Sequence, residues 1–559
     1  MSETLFTPQT IPPTPQNADQ AHQIFYVNQF YGMNTLAPRF ALADGEFSFL
    51  ENLLPIASTN QNLVAAEQTL SSLLTVVPGP GPNLPALPSA QIIDRMWHLA
   101  VGSGGGQSAT NWLIVHTQQG NLYAYNLDTA PVLAPVQLNG SVIFANPDMT
   151  VWQGTQLLVV DRQAGYYSFA LTGNSNALTW SAGISQTPPA SNLSLIAVAF
   201  GRVWVLANTQ TIIASAPNSY TDFNTVDGAL DVVITDSYLR KAVTHLQLNG
   251  DYLYAVGDGA IYALYNVQAN GALQVSQVET THGTSFYSAV ESIDQQLVFA
   301  SSDNLYTIQG FYPSVLMPSM APFWSSQIDL LTQPLVLTIA TILGVQVSLV
   351  LAKYKDPSGG PRSVFLALCK GNSLLLSQGR TITYTCTVEL TDPDDGRALF
   401  VTYGTDGTNI FTCFNDDSDT IDLIDASIPF KAVTKLYDMG QPVVIKHYVQ
   451  AGADAYGVSP FGTFSMQVDT ESVSSQAQPQ FLLQQIAWTN ASGKVFTFTN
   501  AQQQAIQWTV AGIVMPQFIA GVAGRYVGFT VSGTTPGFKL AALAVAFQQG
   551  APWLGGGIS

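Results

Sequence analysis

Sulfur and positive charge are both scarce in this chain. Of 559 residues only three are cysteine: Cys369, Cys386 and Cys413. An odd, widely spaced set argues against a disulfide framework, and no close pair is present to open a zinc site. All three are expected as reduced core residues, since free cysteine packs like a small hydrophobe. Lysine and arginine number 18 against 36 acidic residues, a formal net charge of -18. That balance argues against adhesive binding to DNA or to anionic lipid. It does not exclude a wall past which DNA slides, because acid repels phosphate. A signal peptide is not expected either, because Met1-Ser2-Glu3-Thr4 has no basic start and no apolar core behind it. One apolar run, Leu335 to Ala352, approaches the length of a membrane span. It contains Gln346 and Ser348, is rich in β-branched residues and is interrupted by Gly344. Two buried strands meeting near Gly344 are the expectation, with membrane insertion the weaker alternative.

What the chain has in quantity is apolar surface and turn residues. Hydrophobic residues make up 47% and aromatics 11%, too much for a disordered chain. Glycine (45) and proline (31) supply the turns of a β protein. The stretch from Ser215 to Ile308 shows the pattern best. Leu253-Tyr254-Ala255-Val256 and Ile261-Tyr262-Ala263-Leu264 flank Gly257-Asp258-Gly259, which reads as a hairpin turn through positive φ. Gln296–Ala300 and Asn304–Ile308 repeat the design. Apolar runs in the same position begin at Leu113, Leu157, Val203, Leu253, Leu297, Leu349 and Leu399, in steps of 44 to 52 residues. A partner strand follows each, at Leu122, Tyr166, Ile212, Ile261, Leu305, Phe365 and Ile410.

Several short strands per unit of this length mark a β-propeller blade. A blade has two apolar faces and is stable only between neighbours. The first five units are regular. The last two are looser and could form a differently shaped β domain, and a β-sandwich with coincidental spacing is the alternative to the whole reading. Residues 1–20 are polar and proline-rich, an extended arm. Residues 21–90 form a second segment, ending in a linker with Pro78, Pro80, Pro82, Pro85 and Pro88. Thr59 to Leu74 could be a short amphipathic helix. The repeats occupy 91–330, further β repeats 331–450, and a closing antiparallel β segment 451–559.

Motifs of chemistry are sparse. No nucleophile elbow, phosphate loop, zinc-protease helix or dinucleotide fingerprint is present. The six histidines, His22, His98, His116, His245, His282 and His447, stand apart in sequence and are expected as packed or surface residues, although a propeller channel can gather distant residues. Asp392, Asp394 and Asp395, with Asp416, Asp417 and Asp419, are the best cation candidates, against the plainer reading of solvated turns. Asp161, Asp251, Asp258, Asp294 and Asp303 recur at blade turns, where aspartate bonds nearby backbone. A carboxylate pair for glycoside hydrolysis remains open, since it depends on separation in space. Arg240-Lys241 is read as an exposed strand entry.

Four stretches together resemble the tail nozzle or hub proteins of short-tailed bacteriophages, also called packaged-DNA stabilisation proteins. They are Arg39–Pro55 (RFALADGEFSFLENLLP), Ala214–Phe223 (ASAPNSYTDF) with Leu253–Tyr262 after it, Leu436–Pro442 (LYDMGQP) with Lys446-His447-Tyr448, and Gly524–Phe529 (GRYVGF) with Gly537–Ala541. The likeness is one of pattern and order over most of the chain. Where such proteins often continue into an Arg-Pro-Gly turn, Ile56-Ala57-Ser58-Thr59-Asn60 stands here. The resemblance implies an all-β chain: a β-propeller-like repeat domain with an additional antiparallel β platform, or sandwich, formed by the chain ends. It further implies a virion protein made in the host cytoplasm, a homo-hexameric ring that closes the DNA exit channel, and partners among the tail tube or adaptor proteins and tail fibres. DNA would pass without sequence-specific contact, along a lumen that is polar or acidic. No catalytic residue, metal or cofactor is expected. The competing reading is a β-propeller glycan-binding protein or glycan-active enzyme.

Overall fold

The computed structural model describes the chain except residues 1–8, 11–22, 58–71, 89–90, 102–108, 173–178, 181–192, 235–242, 416–427, 457–463, most of 478–516 and 553–559, with short gaps at 270, 280, 294–295, 358, 392–395, 397 and 536. Two compact units are present. One comprises Pro80–Leu368 and Arg380–Asn415, the other Met1–Gly79, Cys369–Gly379 and Asp416–Ser559.

The first unit is a seven-bladed β-propeller. Its inner strands are Ile93–Val101, Asp148–Trp152, Leu193–Ala199, Val243–Asn249, Val290–Ile293, Val336–Ile342 and Tyr384–Thr391. Each lies beside the next, and the seventh lies beside the first, so the ring closes. The seven apolar runs that define the repeat are all second strands, from Thr110–Thr117 to Ala398–Thr405, and their partners are all third strands. The inner strand of each blade precedes the periodic run, and several carry charged or polar residues such as Asp148, His245 and Glu291, because part of the strand faces the axis rather than a neighbouring blade. The ring runs across residue 330, where the sequence suggested a boundary, and its last two blades lie at 336–369 and 384–413.

Second strands are apolar on both sides for a physical reason: alternate side chains point to opposite faces, and both faces are covered. Leu157 and Val159 pack toward the first blade with Trp112 and Ile114. Leu158 and Val160 pack toward the third with Val203 and Val205. Trp204 and Leu206 then face the fourth. Among the described hairpins between inner and second strands, those of the second, third and sixth blades turn through paired left-handed residues, as at Leu343 (φ 52°) and Gly344 (φ 72°). The apolar run at 335–352 is therefore two buried strands, Val336–Ile342 and Val345–Asp356, in register from Val336↔Leu351 to Ile342↔Val345. Among the described residues no helix is long and apolar enough to cross a membrane. The Gly257-Asp258-Gly259 turn differs from expectation. None of the three takes a positive φ; Gly257 N donates to Ala260 O, and Gly257 O accepts from Thr284 N.

The proline-rich segment is more than a spacer. Gly81 N and Leu84 N donate to Thr412 O and Ile410 O, and Asn83 bridges Phe411. This adds an outer strand to the seventh blade from the chain preceding the first, which fastens the ring. Proline at 80, 82 and 85 is tolerated because the strand is an edge and only residues 81 and 84 need an N–H.

The second unit joins the chain ends. Lys539–Pro552 pairs with Gln23–Val27 on one side and Val444–Tyr456 on the other, and its start also meets Ser72–Val76. A second sheet places Phe47–Glu51 against Phe430–Thr434, then Gly528–Gly533 and Phe464–Asp469. An antiparallel β unit made from both ends is thus present. Of the segment read as a helix, residues 59–71 lie outside the described residues and the remainder is strand. The N-terminal arm is described only at Gln9–Thr10, paired with Gln23 and Ile24.

Candidate functional site

The axis of the propeller holds a cavity of about 490 Å³. It forms because each inner strand has one edge bonded to its own blade and one edge facing the centre. Side chains from adjacent blades satisfy part of that free edge: Thr387 Oγ1 accepts from Ile339 N at 2.8 Å, and Asp148 Oδ2 from Ile196 N at 2.9 Å.

Most of the titratable lining comes from the starts of the inner strands and the residues just before them. Tyr287 Oη donates to Asp148 Oδ1 at 2.5 Å, and the Arg95 guanidinium sits 3.9 Å from the centre of the Tyr287 ring. Burial raises the Asp148 carboxyl above the usual carboxylate range, against the lowering effect of Tyr287, two backbone N–H groups and Arg95. Burial and the charge of Asp148 push the Tyr287 phenol well above its ordinary value. The pair is a carboxylate steadied by a phenol, not a phenol primed as a nucleophile.

His245 stacks on Tyr287 with ring centres 5.6 Å apart. Its Nε2 accepts from Ser288 N at 2.9 Å, which leaves the proton on Nδ1. Burial, assisted by Arg95, lowers the imidazole to about 3, so it stays neutral. Ser288 Oγ meets Tyr384 Oη at 2.5 Å. Farther along, His98 Nε2 lies 3.1 Å from Asn111 Oδ1, and burial holds this ring below the ordinary histidine value. Cys386 lies here too, its thiol pushed up by burial and then by the charge of Glu291. Among the described residues the Glu291 carboxyl accepts from Ser292 N alone, at 3.3 Å, and burial lifts it to about 7.

Two of the six histidines, His98 and His245, therefore share one cavity, where isolated packed or surface positions were expected. His116 is buried against Phe144 O at 2.9 Å, and the His282 ring lies tilted against Tyr306 with centres 4.5 Å apart. His447 lies in the long strand of the other unit, and His22 lies outside the described residues. Cys369, Cys386 and Cys413 are buried and unpaired, as expected. The cation candidates Asp392, Asp394, Asp395, Asp416, Asp417 and Asp419 all lie outside the described residues, as do Asp294, Arg240 and Lys241. Among the described residues no cluster of three metal-ligating side chains occurs. Asp161 is the turn residue its position suggested: buried, with Oδ1 accepting from Gln163 N and Ala164 N and Oδ2 from Asn146 N. Asp303 accepts from Tyr306 Oη. Sequence reading missed Asp148, Glu291 and Tyr287. Their only signal was a polar residue in the segment before each periodic run.

The stretches that carry the family resemblance converge elsewhere, in the unit made by the chain ends. Arg39 bonds Asp469 and Thr434 O, both at 2.6 Å. Leu436 N donates to Arg39 O, and Tyr437 exchanges backbone bonds with Val527. The buried Lys446 ammonium donates to Gln441 O, Val444 O and Arg525 O, and burial lowers its pKa. Phe538 stacks on Phe430 with centres 4.4 Å apart. In the propeller, the Ala214–Phe223 stretch is a loop that docks the third blade on the second: Tyr166 Oη donates to Tyr220 O, and Phe223 packs edge-on to Tyr166. Every one of these contacts is structural.

No protein-family model matches this chain, and no curated protein matches it. Among solved structures it is similar to the WD40 repeats of RRP9, at 10% identity and a TM-score of 0.35, covering 61% of this chain and all of that one. It is also similar to a chain of a mitotic checkpoint complex, at 9% identity and a TM-score of 0.36, covering 65% of this chain and 99% of that one. At such scores the ring stands on its own topology.

Proposed function

We propose that this chain is a structural ring subunit of the kind found in the tail nozzle or hub of short-tailed bacteriophages, acting as a homo-hexamer around a DNA exit channel in the virion. The observation that carries the reading is the joining of the two chain ends into one β unit, with a propeller inserted between them and three of the four family-like stretches meeting inside that unit. Those stretches hold one another through backbone bonds and through the Arg39 and Lys446 side chains, as building material does. The acidic excess of the whole chain supports a lumen that repels rather than grips DNA. Tail tube or adaptor proteins and tail fibres are the proposed neighbours, and the protein does no catalysis in this reading.

Light scattering after size exclusion tests this directly. A mass six times that of the 59.8 kDa chain, with ring-shaped particles in negative stain, is the expected result. A monomer at micromolar concentration, alone and with tail components, overturns it. The second reading, a glycan-binding or glycan-active propeller, draws on the carboxylates and Tyr287 of the axial cavity. Retention on a glycan array, lost in a Tyr287→Phe variant, would favour it.

A further inference from the structure

The axial cavity contains a carboxyl group with no basic counterpart among the described residues. Asp148, Glu291 and Glu389 line it, and no lysine or arginine does. Asp148 is taken up by Tyr287, by backbone and by the nearby Arg95. Glu291 is not: its one bond is from Ser292 N, and no basic side chain among the described residues pairs with it. Its charged neighbours offer no relief. Cys386 across from it on the seventh inner strand is a thiol kept protonated by burial, and Glu389 on that strand is acidic. His245 on the fourth inner strand is held neutral, and burial holds His98 on the first below the ordinary histidine value. A carboxylate in a sheltered polar cavity needs either a proton or a cation.

We propose that the axial cavity of the propeller binds a small organic ammonium ion, with Glu291 as its counter-charge and the acceptor oxygens of the lining completing its hydrogen bonds. A compact ammonium group donates three hydrogen bonds and accepts none, which matches a wall of carboxylate, hydroxyl and strand-carbonyl acceptors. A volume near 490 Å³ admits a short aliphatic diamine. Neutral near-isosteres of such a diamine lack the charge that Glu291 requires. Because Glu291 takes up its proton near neutrality, an arriving cation displaces that proton. The site is independent of the oligomeric state proposed above.

Isothermal titration calorimetry on the full-length protein with 1,4-diaminobutane at pH 7 and fixed ionic strength tests the site, with 1,4-butanediol and potassium chloride as controls. Saturable binding of the diamine is expected, with no binding of the diol and proton release visible as a dependence of heat on the buffer's ionisation enthalpy. Glu291→Gln should weaken binding at least tenfold, and Lys539→Gln, on the other unit, should leave it unchanged. Equal binding of diamine and diol, equal binding by the Glu291→Gln protein, or no saturable heat with the wild-type protein each overturns the proposal. The first and third of these comparisons need only the wild-type chain, so they decide the matter even if the variant does not fold.

Discussion

Tyr287 shows how much a single hydroxyl can hold in a propeller axis. It donates to a carboxylate that burial has already pushed toward its neutral form, and its ring carries Arg95 on one face. Tyr287→Phe keeps the ring and removes the donor, leaving Asp148 partly unsatisfied. Such a loss costs about 1–3 kcal/mol, measurable as a lower denaturant midpoint at constant slope. Glu291 predicts a pH effect of definite sign. Its carboxyl moves from 4.5 up to about 7 in the folded protein, so the folded state holds the proton more tightly than the unfolded one. The stability tied to the protonated acid is complete below pH 4.5 and is lost as pH rises to about 7. Glu291→Gln cannot titrate and should gain on the wild type across that window, by no more than about 3 kcal/mol. Unfolding curves of both proteins at pH 5 and pH 8 check it; an equal difference at the two values would count against the assignment. Cys386, Cys413 and Cys369 needed no structure to be read as buried thiols, because composition and spacing left them nothing else to be.

Among the elements, the strand at residues 81–84 has most influence for its length. It closes the ring by pairing with the last blade, and Gly81 lies so close to it that an added Cβ would come within 2.1 Å of Thr412 Oγ1. Gly81→Val should loosen this edge, at a cost of about 1–3 kcal/mol. Faster hydrogen exchange in Ile410–Cys413, with the second and third blades unchanged, would report the loss locally. Arg202 is the corresponding tie between the third and fourth blades. Buried to 1% exposure, it donates to Ser215 O, Gly228 O, Gln268 O and Ala269 O. Arg202→Met preserves the stem and leaves those carbonyls without donors, so destabilisation of about 2–4 kcal/mol is expected by urea titration. Second and third strands were legible in advance because both of their faces are buried and their runs are nearly all apolar. Inner strands such as Asp148–Trp152 were not legible, since facing the axis licenses aspartate, arginine and histidine at positions that look like loop in a linear reading. The 81–84 strand was hidden by its prolines, which forbid a central strand and permit an edge.

For the whole molecule, the decisive feature is that the final strand, Lys539–Pro552, lies between a strand from the start of the chain and one from its later third. A chain truncated at residue 537 loses that strand, and the unit built on it should fail to form. Loss of light-scattering monodispersity together with rapid proteolysis of residues 23–57 is the expected outcome, whereas the propeller, closed by its own 81–84 strand, should resist. Three-way convergence of distant stretches around Arg39, Leu436, Lys446 and Val527 explains why those stretches were noticeable as patterns before their contacts were known: each supplies a donor or acceptor to another.

The amino-acid order alone determined the all-β class, the period near 45 residues, the count of seven runs and the reduced state of the cysteines, because each depends on local alternation, turn residues or composition. Closure of the ring, the meeting of the two chain ends and the gathering of Asp148, His245, Tyr287 and Glu291 around one axis were decided only by tertiary structure. Those residues are separated by dozens of positions, and nothing in a linear chain tells which strand edge will be left facing the centre. Only the ring puts these side chains in one sheltered space, where burial rather than sequence neighbours decides which of them keep their protons.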